Sequence, residues 1–425
     1  MIINEFMEYL LNNSDSRGIP VIPNDMWINV IKKYEKDDIR QTFARYIHDN
    51  NITFPFKEVD QYDLNRYFYE FNRKSMLDMY KDFDDVRERY DYKYTYADNP
   101  LGVIDKSHYY NIVSDYFQQK NRLQCGSNTT TSPVGIWNDV KMLEKMNWHF
   151  WRLTVLDGCD INEKSIRTSF RLGTYTATQF KPSVAKALYQ KHNAVNVLDT
   201  SCGWGDRLAG FYATPNTKVY VGCDPNPDVF EVYKQQCLYY DRILGGNPVL
   251  TEREDYFECS GVKTVKIWRK PSEDVDWTLY NDFFDFYFTS PPYYETEKYG
   301  KGGLNEKEQS WNRYDNFEKW KNDFFFKVTR DVWTTIKKDG YMMINIIEPR
   351  TKENTRLNLC DDMVDAFKEF DGSNYIGKIG MRMMARPNTD KNELRGVFIE
   401  PIWVFRKNNP NYVEEEKSSL DKFLT

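Results

Sequence analysis

The sequence predicts an α/β protein built on a doubly wound, mostly parallel sheet, with a helical accessory domain before it. Two observations carry this prediction. From about residue 195 onward, short apolar runs alternate with segments of helical periodicity, a pattern typical of parallel sheets with crossover helices. Before about residue 118, apolar side chains instead recur every three or four positions, which indicates amphipathic helices.

Composition excludes several classes of protein. The 425 residues are enough for two or three domains. No run of 18 apolar residues occurs, so no transmembrane helix is expected, and the first residues do not resemble a secretory signal. Seven Cys without a CxxC pair, and four scattered His, predict neither a disulfide framework nor a metal site. A reducing, cytoplasmic location is therefore expected.

Residues 1–118 are predicted to form the accessory domain. Helices are expected from Asp25 to Tyr34, from Asp37 to His48 and from Leu64 to Tyr90. The first 100 residues contain 14 Lys and Arg against 19 Asp and Glu. Such an acidic surface is poorly suited to the phosphates of a nucleic acid. We therefore expect that this domain does not supply the main phosphate contacts, and that it could bind a partner protein.

Residues 119–165 are predicted as a polar linker followed by a helix over Asn138–Val155. The sheet domain is expected over residues 166–406 and a charged tail over 407–425. Within the sheet domain, strands are predicted at residues 195–198, 218–222, 265–268, 284–288, 341–346 and 396–405. The last of these is expected to be interrupted by Pro401. A helix is predicted over residues 227–240, and an amphipathic helix from Phe317 to Ile336 is expected to end at Gly340.

A glycine turn directly follows the first strand of this region. Gly203 permits a tight turn, and Gly205 would let a ligand approach the backbone as a helix begins. Asp199 ends the strand and could pair with an ammonium group. No P-loop lysine or GxGxxG run is present, so a ligand with an amino group and no phosphate fits better. The turn, including Ser201 and Cys202, could equally be an ordinary tight turn.

Acidic residues follow the next two strands. Asp224 lies about 20 residues after the glycines, where a carboxylate can bind a ribose diol. It could equally cap the helix that follows. Glu273 and Asp274 follow the third strand and could face the amino group of an adenine, or could form a turn.

The most specific motif follows the fourth strand, at Ser290-Pro291-Pro292-Tyr293. The proline pair stiffens the backbone and lacks N–H groups, so nearby carbonyl groups are available as acceptors. Ser290 and the Pro291 carbonyl could accept from an aromatic amine, while Tyr293 stacks on its ring. The alternative is a proline-rich junction between a strand and a loop.

Taken together, these segments resemble the S-adenosylmethionine-dependent amino-methyltransferases of DNA. Asp199–Gly205 matches their glycine motif, Asp224 their ribose acid and Ser290–Tyr293 their catalytic motif. Phe180 and Lys181 resemble the motif that flanks the cofactor. The resemblance covers about residues 170–406. It implies a Rossmann-like sheet of the class I methyltransferase type and S-adenosyl-L-methionine as the cofactor.

The same resemblance implies DNA as the partner and direct methyl transfer to a flipped-out base. The Ser-Pro-Pro-Tyr form is most typical of the branch that methylates cytosine N4. Adenine N6 in DNA, an exocyclic amine in RNA, and a non-catalytic binding module remain alternatives. A cytosine-C5 mechanism needs a nucleophilic Cys that, in that family, follows Pro, and no Cys here does.

The chain departs from the family in its Ser201-Cys202-Gly203 segment, where many members have Phe-x-Gly, and in lacking an obvious base-recognition insertion. Recognition would then come from the accessory helices, the 295–316 loop with Lys298 and Lys301, or the C-terminal region. Residues 374–396 form a basic stretch that could face DNA or be an ordinary solvated loop. Its cations are Lys378, Arg382, Arg386, Lys391 and Arg395, against Asp390 and Glu393.

Overall fold

The computed structural model describes residues 2–105, 108–127, 130–146, 158–299, 306–351, 355–383 and 396–408. The chain forms two compact units. The first contains Met1–Val59, Gln119–Thr178 and Glu297–Lys301, and the second contains Asp60–Gln118, Gln179–Thr296 and Gly302–Thr425. This grouping differs from the predicted organisation, because residues 60–118 belong with the sheet rather than with the first helices.

The first unit is mainly helical in its described residues. Its helices are α1 (Asn4–Asn12), α2 (Asn24–Lys33), α3 (Lys36–Asp49), α6 (Pro133–Trp137), α7 (Val140–Met146) and α8 (Glu163–Gly173). α5 (Ile112–Gln124) crosses the boundary between the two residue ranges. A core around Trp27, Phe43, Trp137 and Phe170 holds the unit together. Its short strands β4 (Gly126–Ser127) and β11 (Glu297–Lys298) pair antiparallel.

The second unit is built on one large sheet. Its central strands are β5 (Asn196–Asp199), β6 (Val219–Cys223), β9 (Thr264–Trp268), β10 (Phe284–Thr289), β12 (Ile336–Asn345), β13 (Ser373–Arg382) and β14 (Val397–Lys407). At its margins lie β1 (Tyr80–Lys81), β2 (Val86–Glu88), β3 (Pro100–Ile104), β7 (Val249–Glu252) and β8 (Tyr256–Ser260). Its helices are α4 (Gln61–Arg73), α9 (Pro182–Lys191), α10 (Asp206–Tyr212), α11 (Pro227–Ile243), α12 (Ser310–Arg313), α13 (Phe317–Lys319), α14 (Lys327–Trp333) and α15 (Cys360–Lys368).

The strand order confirms the predicted doubly wound, Rossmann-like sheet. The order is β1-β3-β13-β14-β12-β10-β5-β6-β9-β8-β7, and β2 pairs with β14. β9, β6, β5, β10 and β12 run parallel, while β14 runs antiparallel between β12 and β13. The central strands are largely buried and apolar, as expected for a sheet covered on both faces.

The helix predicted from Leu64 to Tyr90 is wrong beyond Arg73. α4 ends there, and the chain goes on to form β1 and β2. β2 pairs with β14, and β1 pairs with β3, which pairs with β13. Pairing with distant strands therefore outweighs the local helical spacing. The predicted linker is also partly helical, because α5 extends to Gln124. Of the helix predicted over Asn138–Val155, the structure shows the part that forms α7, and residues 147–157 lie outside the described residues.

Two further predictions fail near the C-terminal half of the sheet. Gly340 does not end a helix: α14 ends at Trp333, and Gly340 lies inside β12. A Cβ at Gly340 would lie 2.9 Å from the Lys337 carbonyl oxygen and 3.0 Å from that of Asp285, so a close backbone approach explains this glycine. Pro401 does not interrupt β14, where it lies opposite Gly380 of β13. β7, β8 and β13 were not predicted. None of the described helices is long and apolar enough to cross a bilayer.

Candidate functional site

The order of the strands places a switch point between β5 and β10. From β5 the chain adds β6 and β9 on one side, and then returns to add β10 and β12 on the other. Ligands of doubly wound sheets bind outside the carboxyl ends of the strands at such a point. The glycine turn follows β5 and the Ser-Pro-Pro-Tyr segment follows β10, so the two strongest motifs meet at this edge.

The glycine turn takes the tight form that its sequence predicts. Gly203 and Gly205 have φ of +58° and +70°, a region that favours glycine. Gly205 is the residue before α10. Cys202 is buried, and its amide donates to the Cys223 carbonyl at 3.1 Å, which ties the turn to β6. Burial raises the pKa of the Cys202 thiol, so this group is a packing residue rather than a nucleophile.

Asp199 is fully buried in an ion pair with Arg207, which the sequence analysis did not single out. Arg207 Nε lies 2.7 Å from Asp199 Oδ2, and the same guanidinium donates to the Ser201 carbonyl. Tyr220 Oη at 2.7 Å and Thr289 Oγ1 at 2.9 Å also donate to the carboxylate. The charge of Asp199 is therefore already compensated by Arg207. The pair stabilises the shape of the turn.

Asp224 lies just after β6 and faces the glycine turn. Its carboxylate accepts from the amides of Gly203 at 3.1 Å and Asn226 at 3.0 Å, and from Tyr233 Oη at 3.1 Å. Burial raises its pKa to about 6. The side chain is half-buried, and a carboxylate has about four acceptor positions. One position thus remains for a hydroxyl group of a ligand.

A second buried carboxylate follows the turn directly. Asp206 begins α10, and one of its oxygens accepts from Ser114 and, at 2.9 Å, from Gln179 Nε2. Its other oxygen, Oδ2, is buried without a hydrogen-bond partner among the described residues. Burial raises the pKa of Asp206 to about 7. Asp206 Oδ2 is thus one of the buried acceptors next to the turn that have no partner among the described residues, and Gln236 Oε1 is another.

Glu273 and Asp274 follow β9, as predicted, and are held by residues that the sequence analysis did not single out. Arg313 makes two bonds of 2.7 and 2.8 Å to Asp274. Tyr314 Oη donates to Glu273 Oε1 at 2.6 Å. Asp274 is exposed and Glu273 is buried, and burial raises the pKa of Glu273. Glu273 and Asp274 are therefore polar side chains that hydrogen bonds hold in place after β9.

The Ser-Pro-Pro-Tyr segment continues β10 beyond the sheet. Pro291 is buried, whereas Ser290, Pro292 and Tyr293 are half-buried. Tyr293 Oη donates to Glu400 Oε1 at 2.9 Å. Burial raises the pKa of Tyr293, so the phenol keeps its proton and can donate it.

Glu400 belongs to this segment although it lies 107 residues from Tyr293. It lies in β14, two positions before Ile402, which faces the end of β12 at Asn345. The Asn345 side-chain amide donates to the carbonyl of the next residue, Pro401, at 3.1 Å. Burial raises the pKa of Glu400, while Lys181 and Arg89 act in the opposite direction. An isolated acid between Ile399 and Pro401 is the one signal in the sequence that could have identified it.

Phe180 and Lys181 lie beside the two motifs. The Phe180 ring packs on the Phe288 ring at 5.5 Å and on the Arg207 guanidinium at 5.5 Å. Lys181 is buried, and its ammonium donates to the Arg382 carbonyl at 2.9 Å. Both residues therefore pack against parts of the second unit, and their role beside a cofactor stays a prediction.

In its described residues, the predicted basic stretch is not a free basic surface. Lys378 is fully buried in an ion pair with Glu88, and Arg382 pairs with Asp105 at 2.8 Å. Arg386, Lys391, Arg395, Asp390 and Glu393 lie outside the described residues, as does Lys301. Among the described residues, no cluster of three or more His, Cys, Asp or Glu is arranged to hold a metal ion.

Comparisons with known proteins add little to this description. No protein-family model matches the chain, and no curated protein matches it. Among solved structures, it is similar to YcgJ from Bacillus subtilis, with 12% identity, 53% of this chain and 99% of that chain covered, and a TM-score of 0.32. It is also similar to Trm1 from Pyrococcus horikoshii with S-adenosyl-L-methionine, with 14% identity, 54% of this chain and 56% of that chain covered, and a TM-score of 0.31.

A third solved structure is the N-methyltransferase NodS from Bradyrhizobium japonicum in complex with S-adenosyl-L-homocysteine. It shares 8% identity with this chain, with 53% of this chain and 88% of that chain covered and a TM-score of 0.29. At such TM-scores the likeness carries no argument. The fold is therefore assigned from the strand order, and the site from its own geometry.

Proposed function

We propose that this protein transfers a methyl group from S-adenosyl-L-methionine to an exocyclic amino group of a DNA base, with cytosine N4 as the first candidate. The observation that carries the proposal is the position of Ser290–Tyr293. This segment follows β10 directly beside the glycine turn of β5, across the switch point of the sheet. A hydroxyl, free carbonyl groups and an aromatic ring are thus available where a second substrate would meet a bound cofactor.

The residues around the glycine turn fit an adenosyl cofactor. Asp224 retains an acceptor position for a ribose hydroxyl, as in other doubly wound sheets. Asp206 Oδ2 is a buried, unpartnered acceptor among the described residues, suited to an ammonium group. Asp199 is committed to Arg207, so we assign it to the shape of the turn. When bound, the cofactor supplies an electrophilic methyl group.

The second substrate would be held by the Ser-Pro-Pro-Tyr segment. Ser290 and the Pro291 carbonyl would accept from the two N–H groups of the amine, which turns its lone pair toward the methyl group. Tyr293 would stack on the base, an interaction worth about 1–3 kcal/mol per base. Because the reaction is a direct displacement, correct positioning supplies much of the rate. Neither a protein nucleophile nor a metal is needed for this chemistry.

The full-length protein should be incubated with labelled S-adenosylmethionine and AT-rich DNA, GC-rich DNA or total RNA. Nucleoside mass spectrometry then identifies the polymer and the methylated atom. Label on N4-methylcytosine in DNA is expected. If the label is found only in RNA, or on adenine N6, the proposed substrate is wrong and the proposed methyl transfer to an exocyclic amine still holds. Binding of the cofactor without transfer to any polymer would favour a binding module.

Ser290→Ala tests the role of the segment directly. It should lower the rate of single-turnover methyl transfer about tenfold or more, which corresponds to a barrier raised by about 1.4 kcal/mol. The Kd of the cofactor should stay nearly unchanged. Ser260→Ala is the matched control, because the Ser260 hydroxyl lies on β8 and contacts Glu258. Tyr293→Ala should chiefly weaken capture of the base. If Ser290→Ala and Tyr293→Ala both transfer methyl groups at the parent rate, the segment is a structural strand end and the proposal fails.

A further inference from the structure

The residue directly after the Ser-Pro-Pro-Tyr segment has an unusual backbone. Tyr294 has a φ of +52°, in the left-handed region that a bulky L-residue rarely adopts. The Thr296 amide donates to the Tyr293 carbonyl at 3.0 Å, so Tyr293–Thr296 is a turn whose second residue has a positive φ. Glycine, asparagine or aspartate usually occupies that position. A tyrosine there costs free energy, so its surroundings must hold it in place.

Two aromatic rings hold the side chain of Tyr294. Tyr294 is 7% exposed, and its ring lies 5.6 Å from the Phe317 ring and 5.8 Å from the Trp320 ring. These two rings stack on each other at 5.9 Å, and Trp320 is fully buried. Aromatic pairs in such arrangements stabilise a structure beyond the area that they bury. The contacts of the Tyr294 ring therefore compensate for the strained backbone of the turn.

The element that contains Trp320 is irregular as well. Residues Trp320–Phe326 form a π-helix between α13 and α14, and short π-helical stretches are rare and frequently lie at functional sites. Within it, Trp320 stacks on Phe325 at 5.9 Å. A strained turn and a π-helix are thus joined through the Tyr294 ring, immediately after the segment that we propose holds the base.

We propose that Tyr294 is a positioning residue, whose buried ring fixes the backbone of Tyr293 so that the Tyr293 ring is held ready to stack on the base. This inference rests on the proposed function. Tyr293 is then held at two points, because its hydroxyl donates to Glu400 Oε1 at 2.9 Å. A ring that is ordered before the base arrives loses little conformational freedom on binding. The Tyr294 contacts therefore increase the affinity for the flipped-out base and do not take part in the transfer step.

Steady-state kinetics of methyl transfer by the full-length protein test this role. Tyr294→Ala removes the ring and should raise the KM for DNA about tenfold, because it removes part of the stacking on the base. Its kcat should stay within about threefold of the parent value, and the Kd of the cofactor within about twofold. Tyr294→Phe keeps the ring, so its KM should stay within about twofold of the parent value.

Two comparisons separate positioning from a loss of stability. Phe326→Ala is the matched control, because it removes a half-buried ring of the same π-helix that packs on Phe325 and Phe367; its KM should stay within about twofold of the parent value. The second comparison repeats Tyr294→Ala in a Tyr293→Ala background, where it should raise the KM by no more than about twofold further. A Tyr294 that only stabilised the fold would lower the active fraction in both backgrounds and change the KM in neither.

The outcomes separate this inference from the proposed function. An active parent whose KM is unchanged by Tyr294→Ala, or is raised as much by Tyr294→Phe, would overturn the positioning role alone. So would a tenfold effect of Tyr294→Ala that persists in the Tyr293→Ala background. If Tyr294→Ala does not fold, Tyr294→Leu replaces it, since it keeps apolar volume without the flat ring, and it should raise the KM about threefold or more. A parent that methylates no nucleic acid would overturn the proposed function itself, and this inference with it.

Discussion

Alanine at Gly205 should destabilise the protein much more than alanine at Gly203, although both glycines have positive φ. Left-handed backbone costs an L-residue about 1–2 kcal/mol at either position. A Cβ at Gly203 would have no neighbour closer than the Ser201 carbonyl oxygen, at 3.8 Å. A Cβ at Gly205 would lie 2.3 Å from Gln236 Oε1 and 2.7 Å from its Nε2.

The additional cost at Gly205 follows from the surroundings of Gln236. This side chain is fully buried, and its Nε2 lies 3.3 Å from Tyr240 Oη. Displacing it overpacks the interior, which costs about 1–3 kcal/mol. We therefore expect Gly203→Ala to lower the free energy of unfolding by about 1–2 kcal/mol and Gly205→Ala by about 2–5 kcal/mol. Denaturant unfolding followed by tryptophan fluorescence measures both; equal losses would refute the reasoning.

Two further predictions concern single charges. Asp224→Ala should weaken S-adenosylmethionine binding by about 1–3 kcal/mol. Because the pKa of Asp224 is raised to about 6, the affinity of the parent for the cofactor should fall as the pH drops below 6. Calorimetric titration should find this pH dependence in the parent and not in the variant. Lys263 Nζ lies 2.9 Å from the Phe211 carbonyl oxygen at the end of α10, so Lys263→Met should cost about 1–3 kcal/mol in urea unfolding. Burial lowers the pKa of Lys263 to about 7, so the unfolded chain binds the proton of Lys263 more tightly than the folded protein does. The free energy of unfolding of the parent should therefore rise as the pH increases above 7, and that of the variant should not.

The features predicted well from the sequence are local ones. β5 and β10 are short, apolar and followed by turn residues, so each strand and the motif after it can be recognised without knowing the rest of the chain. The positions of Asp199, Asp224 and Ser290 at strand ends follow from the same patterns. Parallel strands then bring their carboxyl ends to one edge of the sheet, and the order along the chain is enough to predict that the motifs meet.

The features that were missed depend on contacts between distant segments. β1, β2 and β3 are short strands at the margin of the sheet. β3 pairs with β13, β2 pairs with β14, and β1 in turn pairs with β3. Their own residues indicate a helix as readily as a strand. Truncating the chain near residue 130, which the predicted domains invite, would therefore remove three strands of the sheet.

The same limit applies to two cations of the basic stretch, Lys378 and Arg382, whose surroundings could not be predicted from the sequence. Counting charges along residues 374–396 gives a positive segment, yet Lys378 pairs with Glu88, 290 residues earlier in the chain, and Arg382 pairs with Asp105. Lys378 also lies 4.6 Å from the Tyr92 ring and 4.4 Å from the Trp403 ring. A buried lysine with a carboxylate on one side and aromatic rings on the others stabilises the sheet. It is not exposed to a phosphate, so if DNA is the substrate, its backbone must be bound by other cations of the chain.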